Sequence, residues 1–215
     1  MDRQKAFYGA GLILLALTLA ACADGDRAPA FSEEYTGTAL SGPAADFEFL
    51  DQSGAAIRLS RFRGDVVVLT FLDTLCTDVC PLTSAELRRA HQLLGPDASA
   101  EVVCLAVNVN AEANSLEDVS AAMKKWRLDE IETFHFLTGA EVELAPVWEA
   151  YHVTVYRPPD QAEELLHTPG VFLIDRAGEL RWYVSTPYDE SGRPEGTAPL
   201  SELLAGHIRD LLAER

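Results

Sequence analysis

The chain has 215 residues, of which 48% are hydrophobic, enough for a domain with a sizeable apolar core. It carries 34 acidic and 17 basic residues, giving a formal net charge of −17. Nucleic-acid binding requires clustered Lys and Arg against the phosphates, so this composition argues against a nucleic-acid partner.

The first 21 residues predict a signal peptide. Arg3 and Lys5 precede an apolar stretch, residues 9–19, that is short for a membrane span. The stretch ends in LAAC, which resembles a bacterial lipoprotein signal in which the cysteine, here Cys22, becomes the lipidated first residue. We therefore expect an extracytoplasmic chain, anchored by lipid to a bacterial membrane on its periplasmic or cell-surface side. The alternative is an ordinary signal peptide cleaved nearby, with Cys22 incidental.

Removal of residues 1–21 leaves 15 basic and 33 acidic residues, a net charge of −18. Residues 22–44 are rich in Ala, Gly, Pro, Ser and charge, and they show no hydrophobic periodicity. This composition predicts a flexible tether. Residues 45–215 are then expected to form one domain.

The domain alternates strand and helix patterns. A hairpin is predicted from residues 47–50 and 57–59, around the turn at 51–54. Further strands are expected at 66–71, 102–109, 134–137, 153–156, 171–175 and 180–184. Helices are expected at 80–94, 115–126, 141–151 with Pro146 interrupting it, and 200–212. This order predicts an α/β fold, with a central mixed sheet flanked by helices and an N-terminal β-hairpin.

Two cysteines stand where the first central strand passes into a helix. They are Cys76 and Cys80 in the motif CTDVCP, and Pro81 suits the first turn of a helix. The helix dipole favours thiolate at its N-terminus, and the i, i+4 spacing places both sulfurs on one face. The pair could close a disulfide or bind one metal ion. A purely structural disulfide would stabilise little, because so short a loop loses little chain entropy. Cys104 lies within a buried-strand pattern and is interpreted as a core residue.

The order of elements and the motifs resemble the thioredoxin-like Sco/SenC family, whose members are membrane-anchored copper-binding proteins that assist assembly of cytochrome c oxidase. The chain is similar to it in the CxxxCP motif at Cys76 and Cys80, and in the FLTG segment that ends at Gly139. His167 matches the position of the family's metal-binding histidine. The resemblance spans about residues 45–213.

This resemblance implies a copper site formed by Cys76, Cys80 and His167. Two thiolates and an imidazole suit Cu(I), and also Cu(II) with one added ligand, while Zn(II) would compete. Asp78 is expected to orient the loop or to contact a ligand, and its alternative role is helix N-terminal charge. The implied client is the copper-site subunit of cytochrome c oxidase, or another protein that carries thiols.

A thiol–disulfide oxidoreductase is the alternative, in which Cys76 attacks and Cys80 resolves to reduce partner cysteines before metallation. Pro169 supports it, because thioredoxins carry a proline there and Sco proteins usually do not. Thr77 also departs from the family, which usually has proline after the first cysteine. A peroxiredoxin-like activity is disfavoured, because no Pro-x-x-x-Thr-x-x-Cys pattern precedes Cys76.

Overall fold

A computed structural model of the chain describes residues 36–160, 165–185 and 197–214. The strands are β1 (Thr38–Ala39), β2 (Glu48–Leu50), β3 (Ala56–Arg58), β4 (Val66–Leu72), β5 (Val102–Asn108), β6 (Phe134–Leu137), β7 (Val155–Tyr156), β8 (Leu166–His167), β9 (Val171–Ile174) and β10 (Leu180–Val184). The α-helices are α1 (Val79–Leu94), α2 (Pro96–Ser99), α3 (Leu116–Lys125), α4 (Glu141–Ala150) and α5 (Leu200–Ala213). Short 3-10 helices cover Leu59–Phe62 and Leu128–Glu130.

Six strands form one mixed sheet in the order β1-β10-β9-β4-β5-β6. β4, β5 and β6 run parallel, whereas β9 is antiparallel to β4, β10 to β9, and β1 to β10. The pairs β2–β3 and β7–β8 form two separate antiparallel ribbons. The predicted α/β architecture, with its mixed sheet and N-terminal hairpin, is confirmed.

Both faces of the sheet are covered, which explains why its central strands are apolar without interruption. Val66, Val68 and Leu72 of β4 pack on the face covered by α1, α3 and α5. The alternate residues Val67, Leu69 and Phe71 pack on the face covered by α4 and the β2–β3 hairpin. β4 is buried along its whole length. The loop that follows its carboxyl end therefore starts from a fixed position.

Helix α3 begins as the sequence predicts. The Ser115 hydroxyl accepts a hydrogen bond from the backbone N–H of Asp118, and the Asp118 carboxylate accepts one from the N–H of Ser115. Helix α4 differs from the prediction, because it runs unbroken through Pro146. The carbonyl that Pro146 leaves without a helical partner belongs to Val142, which is 80% exposed, so water can satisfy it.

Two short strands were not predicted. Strand β1 and a bridge between Pro43 and Glu179 lie inside the segment that the sequence assigns to the tether, so the ordered fold begins before residue 45. Strand β8 pairs with β7 and carries His167. Two-residue strands have no periodicity from which to predict them, and they form here because longer elements supply their partners.

The predicted signal peptide, Cys22 and the first part of the tether lie outside the described residues. Within the described ranges, no helix has both the length and the apolar composition needed to cross a bilayer.

Candidate metal and thiol site

The two motif cysteines lie just beyond the carboxyl end of β4, at the start of α1. Asp78 is the N-cap of α1, and its carboxylate accepts a hydrogen bond from the Val79 backbone N–H at 2.6 Å. Cys80 is then in the first turn of the helix and is 1% exposed. Cys76 lies in the preceding loop and is half-buried, so the accessible thiol of the pair is Cys76.

The Cys76 sulfur lies at the amino terminus of α1. The backbone N–H of Cys80 donates to Cys76 Sγ at 3.3 Å, and Cys76 Sγ lies 2.9 Å from Asp78 Oδ1. Hydrogen bonding from Cys80 holds the pKa of the Cys76 thiol below its ordinary value. Donation of a hydrogen bond from the Cys80 thiol to Cys76, together with burial, raises the pKa of Cys80. Cys76 therefore ionises first and is the nucleophile of the pair.

His167 reaches the site from β8. Its Nε2 lies 3.6 Å from Cys80 Sγ, and its Nδ1 lies 3.2 Å from the Thr168 carbonyl oxygen. Because a carbonyl only accepts, Nδ1 is assigned as the donor, which leaves the Nε2 lone pair directed at the sulfur. Burial lowers the pKa of His167, which favours the neutral imidazole that binds metals.

This donor set suits a soft metal ion. Bond lengths of about 2.0–2.1 Å to nitrogen and about 2.3 Å to sulfur, as in zinc sites, place two ligand atoms roughly 3.5–3.8 Å apart. The observed 3.6 Å between Cys80 and His167 matches that separation. Cys76 is the third donor, and its sulfur contacts Asp78. In the described part of the chain, no three His, Cys, Asp or Glu side chains are already grouped as ligands.

A buried polar network supports the cysteine loop. Asp73 is 5% exposed, and its Oδ1 accepts hydrogen bonds from the Leu75 backbone N–H at 2.9 Å and from Asn110 Nδ2 at 2.7 Å. The Asp73 carbonyl accepts from the Cys76 N–H at 3.0 Å. Asn110, after β5, is held in turn by Asn108. The role of the two asparagines was not predicted. Their position at the carboxyl end of β5, a strand parallel to β4, is the signal that could have found them.

A second set of contacts supports the histidine loop. The Thr70 hydroxyl donates to the Gly170 carbonyl at 2.9 Å, and the Tyr183 hydroxyl donates to the Pro169 carbonyl at 2.6 Å. Gly170 has φ +152°, and the Tyr183 ring occupies the space that a Cβ there would fill. These contacts fix the chain between β8 and β9, and therefore the approach of His167.

Other candidate residues lie in different surroundings. Cys104 is buried in β5, as predicted, and burial raises the pKa of its thiol to about 12. His135 lies 3.0 Å from the buried carboxylate of Asp51, and His207 stacks on Trp182. The structure thus brings Cys76, Cys80, His167 and Asp78 together and leaves these histidines outside the group.

Comparison with known proteins decides the family. The model of the SCO1/SenC family matches residues 37–196. The chain belongs to the SCO1/SenC family. A SCO2-like protein of Rickettsia conorii is 24% identical over 138 residues, which cover 62% of this chain and 65% of that relative. The chain thus spans just under two thirds of that protein.

Solved structures agree. The apo Sco1 protein of Thermus thermophilus is 28% identical, with a TM-score of 0.64 over 82% of this chain and 96% of that one. ScoI of Bradyrhizobium japonicum, whose structure has copper bound, is 25% identical, with a TM-score of 0.60 over 79% of this chain and 99% of that one.

Proposed function

We propose that this SCO1/SenC protein binds copper through Cys76, Cys80 and His167 and delivers it to the copper-site subunit of cytochrome c oxidase. The observation that carries the proposal is the approach of His167 Nε2 to Cys80 Sγ at 3.6 Å, across 87 residues of sequence. Family membership and the copper-bound Bradyrhizobium structure support it. Bound copper would be cargo, and the chain supplies two sulfur donors and one nitrogen donor to hold it.

Hydrogen bonds within the protein hold Cys76 and His167 in forms that can bind copper before the metal arrives. The N–H of Cys80 stabilises the Cys76 thiolate, and the Thr168 carbonyl fixes the His167 tautomer. Burial excludes water from Cys80, which protects its sulfur from competing reactions. Cys76, half-buried at the edge, is the donor from which an incoming client thiol could take over a ligand position.

An anaerobic Cu(I) titration of the reduced protein tests the proposal. We expect one equivalent of copper per chain, and at least about 100-fold weaker binding in Cys76→Ser and Cys80→Ser, since soft thiolates dominate Cu(I) affinity. His167→Ala should weaken binding by about tenfold or more. The matched controls are Cys104→Ala, in the core, and His152→Asn, at an exposed histidine that follows α4, and both should bind normally. Full copper binding by the Cys76→Ser, Cys80→Ser double variant would refute the site.

A second candidate function is reduction of the client's cysteines, and the unequal thiols favour it. Cys76 is accessible and ionises first, while Cys80 is buried directly behind it. In the exchange, the Cys76 thiolate attacks a partner disulfide, and one partner thiol leaves. Cys80 then displaces the second partner thiol and closes the Cys76–Cys80 disulfide. Trapping tests this directly, because Cys80→Ala should accumulate a mixed disulfide with an oxidised dithiol peptide and Cys76→Ala should not. Equal trapping by both variants would contradict this order of attack.

A further inference from the structure

One segment of the chain, residues 108–113, holds the loop that carries the cysteines. Asn110 Nδ2 donates a hydrogen bond to the Asp73 carboxylate at 2.7 Å, and the Thr74 hydroxyl donates one to the Ala113 carbonyl at 2.7 Å. Asp73 and Thr74 are each 5% exposed, and Asn110 is 2% exposed. Because these bonds are shielded from water, salt screens them little, and the cysteine loop stays fixed to the 108–113 segment at any ionic strength.

The same segment holds one end of the ribbon that carries the histidine. Trp148 Nε1 donates to the Asn108 carbonyl at 3.1 Å, and the Trp148 carbonyl accepts from the Val153 N–H at 2.8 Å. Next along the chain, the Thr168 N–H donates to the Thr154 carbonyl at 3.0 Å, and the Thr154 N–H donates to the Thr168 hydroxyl at 3.1 Å. We call these contacts the base of the β7–β8 ribbon. Because Trp148 and Val153 are buried, the contacts that join the base to the segment are also shielded from water.

An ion pair holds the other end of the ribbon. Arg157 directly follows β7, and its Nη2 lies 3.4 Å from Oε2 of Glu112, in the same segment. The Glu112 backbone is itself fixed, because its N–H donates to Asn110 Oδ1 at 3.1 Å. His167 pairs with Val155 of β7, so it lies between the base of the ribbon and this ion pair. Unlike the base, the ion pair faces water, with 27% of the Arg157 side chain and 74% of the Glu112 side chain exposed.

We propose that the Glu112–Arg157 ion pair is a latch, which holds the β7–β8 ribbon against the cysteine side of the site and thereby makes copper affinity depend on ionic strength. This rests on the proposed function. Glu112 and Arg157 are positioning residues, since neither belongs to the proposed ligand set. With the pair closed, both ends of the ribbon are attached to the segment that holds the cysteines, and His167 Nε2 lies 3.6 Å from Cys80 Sγ. With the pair open, the ribbon is held from its base, and His167 spends less time within reach of the sulfurs.

The expected size of the effect follows from the exposure of the pair. An exposed ion pair contributes little in water and is screened by salt, whereas buried contacts are screened much less. The apparent affinity for copper falls in proportion to the fraction of time that the ribbon is in the binding position. We therefore expect loss of the pair to weaken Cu(I) binding about threefold, less than the roughly tenfold loss expected on removal of the His167 ligand itself.

Charge reversals on the full chain test the latch. Glu112→Arg, Arg157→Glu and the double exchange are compared by anaerobic Cu(I) competition titration in about 20 mM and about 500 mM NaCl. We expect each single reversal to weaken binding about threefold to fivefold in low salt, and the double exchange to bind within about twofold of the unchanged chain. In high salt, the difference between the unchanged chain and the single reversals should disappear. A double exchange that binds no better than the single reversals would overturn the latch.

General electrostatics makes a different prediction for the two single reversals. Arg157→Glu adds negative charge and should strengthen the binding of a cation, whereas Glu112→Arg should weaken it. The latch requires both variants to bind copper more weakly, so changes in opposite directions would overturn it. Two matched controls measure the size of the general effect. They are Glu132→Arg, in the exposed turn before β6, and Arg61→Glu, at an exposed residue of the first 3-10 helix.

Amide hydrogen exchange without copper keeps the latch testable if the proposed function fails. We expect the backbone N–H groups of β7 and β8 to exchange about threefold faster in each single reversal at low salt, and at the original rate in the double exchange. The Cys76 N–H, which donates to the Asp73 carbonyl, is the internal control and should not change. Unchanged exchange in β7 and β8 would overturn the latch. Failure of the proposed function would appear instead as Cu(I) binding that survives loss of both cysteines.

Discussion

The two halves of the candidate site are built in different ways. The cysteine half is local in sequence, since Asp73, Cys76 and Cys80 follow one another from the end of β4 into the first turn of α1. The histidine half is assembled from distant segments, with His167 on β8, Thr70 on β4 and Tyr183 on β10. The first is recognisable as a motif, whereas the second depends on the whole sheet. Damage to the sheet should therefore affect the histidine half before the cysteine half.

Gly170→Ala should have the largest effect. A Cβ at residue 170 would lie 2.4–2.6 Å from atoms of the Tyr183 ring, and the backbone has φ +152°. Strain and overpacking together should lower the free energy of unfolding by about 3 kcal/mol or more, measured by urea denaturation. The control is Gly64→Ala, where φ is +105° but no atom lies within 4 Å, so only the backbone cost of about 1 kcal/mol is expected. Equal losses would show that the Tyr183 contact is unimportant.

Asp73→Ala should have the next largest effect, on the cysteine half. It removes the acceptor of the Leu75 N–H and of the Asn110 amide, both at a buried position. Unsatisfied buried donors should reduce the free energy of unfolding by about 2–3 kcal/mol. Asp73→Asn keeps an acceptor oxygen and should recover most of this loss. If both variants lose equally, the carboxylate charge rather than the hydrogen bonds holds the loop.

Tyr183→Phe should have a smaller effect, confined to the histidine half. It deletes the hydrogen bond to the Pro169 carbonyl and leaves the ring packed on Gly170. We expect a loss of about 1 kcal/mol in stability and Cu(I) binding that is roughly threefold to tenfold weaker. The iodoacetamide reactivity of Cys76 should not change. The exposed Tyr156 provides the control, Tyr156→Phe. A change in Cys76 reactivity without a change in copper affinity would contradict the separation of the two halves.

The same difference explains how far the sequence could predict this molecule. The long strands and helices follow from apolar runs and from caps such as Ser115, and the cysteine pair follows from its place between two of them. The approach of His167 was expected only through resemblance to a family. It depends on β8, Gly170 and Tyr183, whose contacts join residues far apart along the chain. Such contacts leave no local pattern.

Asp78→Asn should have the smallest effect and acts on a single thiol. Hydrogen bonding from Cys80 is the main cause of the lowered pKa of Cys76, and the Asp78 carboxylate opposes it by accepting a hydrogen bond from the neutral thiol. A negative charge beside the sulfur also disfavours the thiolate. Replacement by a neutral amide removes this opposition, so the pKa of Cys76 should fall further. The rate of iodoacetamide alkylation should then rise at lower pH than in the unchanged protein.

Helix α1 should survive this replacement, because asparagine is as good an N-cap as aspartate and can still accept from the Val79 N–H. Circular dichroism checks that point. Asp97→Asn, an exposed residue in α2, controls for the loss of one surface charge. An alkylation profile that moves to higher pH in Asp78→Asn would mean that Asp78 supports the thiolate, for example by holding the Cys80 N–H in place. In that case the nucleophile would depend on the carboxylate and not only on the helix terminus.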